Sequence, residues 1–164
     1  MMQEIIEGKW IASFKRALSL NGVKSGTKLV VLAESQSRPV LIKLASLACY
    51  ELNAEYSTIV LPTPEQTAVV PVKSTGACNA IMQKRHVIEA LKHIEIIVDV
   101  TVEGLIHSEE WEEIEKSGTR LFTICNEHPE ILERTEPQAE LQSKVELGIQ
   151  MLNSATQMHV TSKA

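Results

Sequence analysis

The sequence predicts an α/β fold: an open, mainly parallel sheet of about four to five strands with helices on both faces, Rossmann-like in outline. Two observations carry this. Short runs rich in β-branched residues and Leu alternate with helical apolar patterns along most of the chain, and parallel neighbours need crossover connections of that kind. The runs KLVVLAE and IIVDV are also continuously apolar rather than alternating, as strands covered on both faces are.

The elements follow in order. Residues 5–20 place Ile6, Trp10, Phe14, Ala17 and Leu18 near one helical face, and Asn21-Gly22 supplies the stop. The run 28–34 is the first strand. Pro39 opens a helix over 39–53, where its missing N–H costs nothing, and Val40, Leu41, Leu44, Ala45, Leu47, Ala48 and Leu52 give it a broad apolar stripe. A second strand spans 56–61. The proline-rich loop 62–77 is about as long as ordered connections become, so it is either functional or mobile. A helix over 79–93, the strongest strand over 94–102, a short helix over 109–116 closed by Gly118, a strand over 120–125 and a helix over 137–154 complete the series. From Met158 the apolar/polar alternation of a half-buried strand begins again.

Length and composition bound what such a fold can do. With 164 residues the chain suits one domain with a real core, expected over 1–157. Sixteen Lys and Arg against 21 Asp and Glu give a net charge of −5 with no basic run, which argues against nucleic acid or an anionic membrane as partner. No apolar run approaches the roughly 20 residues of a spanning helix. The N-terminus MMQEIIEGKW lacks the basic start and continuous apolar segment of a secretory signal, so a cytoplasmic location is expected. Cys49, Cys78 and Cys125 are an odd number at wide spacing and read as reduced thiols. The apolar breadth of the 39–53 helix, with Trp10 and Phe14 before it, points to a homo-oligomer.

In an open parallel sheet ligands bind beyond the carboxyl ends of the strands, which selects residues 34–39, 61–67, 99–111 and 125–130. The first lacks the glycines of a dinucleotide fingerprint. Ser35, Ser37 and Arg38 either bind an anion at the next helix N-terminus or only cap that helix. In the third segment Asp99 stands on an otherwise apolar strand, Glu103 and Gly104 follow, and His107 precedes a Ser-Glu-Glu helix start. An imidazole, with its ordinary pKa of about 6.5, could move a proton there. Equally, Asp99 could bond backbone groups and His107 steady its helix. Cys125 and His128 could join Asp99 or His107 as metal ligands, although nothing in the spacing demands it. His86 and His93 read as solvated.

The run IIVDVTVEGLIHSEEWEEIEKSGTRLFTICNEHPEILERT, followed by a long helix and MHVTSKA, resembles the N-terminal half of the 2,5-dihydroxypyridine 5,6-dioxygenase family, within the wider aminopeptidase T-like group. The resemblance runs from about residue 29 to 164. It implies a non-haem Fe(II), extradiol-type enzyme of nicotinate catabolism that opens a small aromatic ring with O2. It also implies that residues 158–164 start the strand into a second, β-rich domain which holds the metal ligands, so that this chain binds no metal and is inactive alone. By the same resemblance His107 is the catalytic base, with Glu103, Leu105 and Ile106 meeting the substrate. An N-terminal domain of an aminopeptidase T-like metallopeptidase, or a non-catalytic α/β binding or oligomerisation module, are the competing expectations.

Overall fold

A computed structural model describes residues 5–65 and 78–162; the remainder of the expected loop, 66–77, lies outside the described residues. Helix α1 (Gly8–Leu20) leads into β1 (Lys28–Glu34), α2 (Pro39–Glu51) and β2 (Glu55–Leu61). A short 3-10 turn (Asn79–Ile81) precedes α3 (Arg85–Leu91), β3 (Ile96–Asp99), α4 (Glu109–Glu115), β4 (Arg120–Thr123), α5 (Pro129–Arg134) and α6 (Leu141–Ser154). The four strands form one sheet in the order β2-β1-β3-β4, every pair parallel. The fold is the expected α/β class.

Period-two geometry divides β1 between two cores. Leu29, Val31 and Ala33 face α1 and α2, where they meet Phe14, Leu18, Leu41 and Leu44. Val30 and Leu32 face α3 and α4, where they meet Ile88, Leu91, Trp111 and Ile114. Both faces of the central strands are therefore dry, which is why the sequence of β1 and β3 does not alternate.

Several boundaries differ from the sequence reading, for local reasons. The expected helix 79–93 is broken where Gln83 turns left-handed at φ 60. The third strand ends at Asp99 rather than 102. Val100 still donates to the Leu32 carbonyl at 2.9 Å, but the Asp99 carboxylate then draws the chain into a turn. Val100 and Val102 stay buried in that turn and so mimic a strand in sequence. Helix α5 was not expected. Pro129 stands in its first turn, and His128 caps it by accepting the Glu130 N–H on Nδ1 at 3.3 Å. The last helix begins at Leu141, and no strand occurs over 158–162, which is exposed.

Trp10 and Phe14 do not form the expected external patch. Both are buried in the core between α1 and α2, and the Trp10 indole donates to Glu133 on α5 at 3.0 Å. The large exposed apolar surface lies instead on α6, none of whose residues is buried.

Candidate functional site

The strand order reverses between β1 and β3: the chain leaves β1 for β2 on one side and β3 for β4 on the other. A crevice opens at the carboxyl end of such a switch point. Two carboxylates stand there, Glu34 ending β1 and Asp99 ending β3, both buried.

Glu34 joins three segments. Its Oε1 accepts the Val102 amide at 3.1 Å and the Cys78 thiol at 3.3 Å, so Val102 after β3 and Cys78 before the 3-10 turn both rest on the end of β1. Burial, then the nearby Glu34 charge, pushes the Cys78 thiol up to about 12, which keeps it a neutral donor. The serines that follow do not cap α2. Ser37 Oγ accepts the Glu34 N–H at 2.7 Å, and Ser35 Oγ accepts the Thr63 N–H at 3.0 Å. Ser37 closes the turn after β1, and Ser35 ties that turn to the segment after β2. Glu34 was not singled out in the sequence, although it ends an apolar run as Asp99 stands within one.

Asp99 turns inward on its own loop. Its oxygens accept from the Thr101 N–H at 3.0 Å, the Thr101 hydroxyl at 2.6 Å and the Leu105 N–H at 2.7 Å. Burial raises its pKa from the ordinary carboxyl value, and these donors pull against that rise. Thr123, paired with it on β4, also lowers the pKa, although its hydroxyl makes no hydrogen bond of good geometry. The reading in which Asp99 bonds backbone groups of a loop is the observed one.

Beyond the turn the residues point different ways. Leu105 is fully buried among the α3 and α4 side chains, so it braces the loop and cannot lie against a ring. Ile106, 52% exposed, and His107 face outward. They line a surface depression of ≈ 480 Å³ with Ser108, Glu109, Trp111 and Glu112. Ile106 and Trp111 also border a second groove of ≈ 640 Å³, which runs past Phe122 and Thr123 along the open side of β4. Glu103 is half-buried near Cys125. Cys125 adopts φ 55 just after β4, and burial followed by the charges of Asp99, Glu127 and Glu103 raises its thiol to about 11.

His128 is not with His107: it caps α5 and stands edge-on to Trp10, ring centroids 5.5 Å apart. His86 and His93 are exposed on or beside α3. Among the described residues no three His, Cys, Asp or Glu side chains are grouped to hold a metal ion, so the described residues do not fit an iron site.

The fold and these loops define a parallel α/β domain with open depressions beside the carboxyl end of its sheet. Comparison with known proteins makes the class specific. The family profile NicX, 2,5-dihydroxypyridine 5,6-dioxygenase, matches residues 9–164, and the chain belongs to that family. It is 29% identical over 153 residues to the 2,5-dihydroxypyridine 5,6-dioxygenase of Pseudomonas putida KT2440, covering 92% of this chain and 43% of that protein. The solved structure of 2,5-dihydroxypyridine dioxygenase from the same organism superposes with a TM-score of 0.82 at 26% identity, over 93% of this chain and 44% of that one. The chain thus spans less than half the length of the relatives it matches.

Proposed function

We propose that this chain is the N-terminal α/β domain of an Fe(II)-dependent, extradiol-type dioxygenase that opens the ring of 2,5-dihydroxypyridine in nicotinate catabolism. The observation that carries the reading is the family match over 9–164, and the outward-facing Ile106 and His107 at the ligand-binding end of the sheet support it. The Fe(II) of such an enzyme would be held by residues outside this chain, which alone would be inactive. What this chain contributes is a proton acceptor and an apolar contact. The His107 imidazole takes the proton of a ring hydroxyl, leaving a more electron-rich ring for O2, whose two atoms enter the opened product as the C5–C6 bond breaks. Ile106 packs on the ring, and Glu103 borders it.

A cytoplasmic location accords with three free cysteines, and among the described residues no helix is long and apolar enough to cross a membrane. Self-association is inferred from the exposed apolar face of α6.

The test is turnover by the holoenzyme containing this chain, supplied with Fe(II) and O2 and followed by loss of 2,5-dihydroxypyridine and oxygen uptake. His107→Ala should lower turnover about 100-fold or more, the scale of a lost general base, at unchanged iron content. His86→Ala, on the exposed side of α3, is the control and should leave turnover within about twofold. Equal activity of the two variants removes His107 from the chemistry, and cleavage of a peptide panel without ring opening would replace the dioxygenase reading altogether.

A further inference from the structure

Solvent does not reach the Asp99 side chain, so it cannot touch a substrate, yet its acceptors are turned on the loop that carries His107. One oxygen takes both the amide and the hydroxyl of Thr101, and the other takes the Leu105 amide. Thr101 Oγ1 in turn accepts the Gly104 N–H at 3.2 Å. Gly104 has φ 82, a left-handed turn that brings the Leu105 N–H back toward β3. The next link runs forward: the Leu105 carbonyl accepts from the Ser108 amide at 3.0 Å and the Ser108 hydroxyl at 2.5 Å. His107 therefore sits between Leu105, whose amide is held by the buried carboxylate, and Ser108, which is held by the Leu105 carbonyl.

We propose that Asp99 is the positioning residue of the His107 imidazole, acting through the Leu105 amide and the Leu105–Ser108 link rather than on the substrate. The proposal rests on the reading of His107 as the group that meets the substrate. Its chemistry is that of an acceptor-only group. A carboxylate can receive all three hydrogens, whereas a carboxamide at the same place presents its own N–H2 to one of the donors and must release part of the loop.

Amide exchange followed by NMR on this chain tests the first half. Asp99→Asn should speed exchange at Thr101, Leu105 and Ser108 tenfold or more, while the amides of β1 stay unchanged. If Asp99→Asn does not fold, Thr101→Val decides: it removes one donor from Asp99 and the acceptor for Gly104, and should speed Gly104 and Leu105 in the same local pattern. Unchanged exchange at Leu105, or equal acceleration throughout the sheet, overturns the proposal. Turnover of the holoenzyme tests the second half. Asp99→Asn should cost about tenfold or more alone and nothing further on top of His107→Ala, because a residue acting through another is non-additive with it. A further loss in the double variant overturns the assignment. Full turnover by His107→Ala alone would sink the functional reading, and the exchange pattern would then decide the loop assignment by itself.

Discussion

At the residue scale, neighbours in sequence have opposite physical roles. Leu105 fills the core against α3 and α4, so Leu105→Ala removes buried methyl groups and leaves a cavity, which should cost about 2–5 kcal/mol of stability. Ile106→Ala, at a site half open to water, should stay within about 0.5 kcal/mol. Urea unfolding of the two variants checks both. The thiols give a second expectation. Cys49 and Cys78 are buried, with thiols raised to about 12, and Cys125 is half-buried at about 11. Since only the thiolate attacks, labelling at Cys125 should be slow at pH 7 and rise about tenfold per pH unit to pH 9, with the other two protected. Mass mapping of the modified peptides reports it. Asp99 was legible in the sequence because a carboxylate inside an apolar run has to find donors. The inward turn of Leu105 was not, because a loop residue has no period to reveal which way it faces.

Among elements, the tie between α3 and α4 is electrostatic on its outer side and apolar beneath. Arg85 on α3 reaches Glu113 on α4 at 2.5 Å, and Lys92 just after α3 joins the same carboxylate. Hydrogen bonds from Arg85 and Lys92 lower the Glu113 carboxyl to about 2. A carboxyl whose folded pKa lies below its unfolded value stabilises the fold above the unfolded pKa, and that contribution is lost as pH falls through the folded one. Wild type and Glu113→Gln should therefore differ in urea midpoint at pH 6, with the gap closing between about pH 4.5 and 2; a gap independent of pH would show that the pair contributes nothing through charge. Exposure and salt keep the effect small. The order and type of most elements were readable from period alone. Their ends were not, because ends depend on single groups: the left-handed Gln83, the Asp99 carboxylate that stops β3, and the His128 cap that starts α5.

For the molecule as a whole, the parallel sheet was legible because double-sided burial leaves continuous apolar strands, and the end of the sheet that carries His107 followed from it. Which helix would remain uncovered was not legible, since α1 and α2 satisfy each other and that pairing is tertiary. The uncovered helix is α6, with Leu141, Val145, Ile149 and Leu152 all 46% exposed or more. Leu141, Val145, Gly148 and Leu152 are spaced four, three and four apart, the repeat of a helix–helix seam. Gly148 has open space where a Cβ would stand, so a second helix can approach closely there. Charges are few and balanced on α6, Lys144 against Glu146, and two copies packed by a two-fold axis would meet without repulsion. A second copy of this chain, seam to seam, is accordingly the expected occupant. Sedimentation velocity should show concentration-dependent association of the wild-type chain from about 1 to 100 µM, and Val145→Glu with Leu152→Glu should give a monomer with unchanged circular dichroism, because two carboxylates would have to be buried in the seam without partners. A wild-type chain that stays monomeric throughout, or a double variant that associates as strongly, would remove α6 from self-association and leave its apolar face to a different partner.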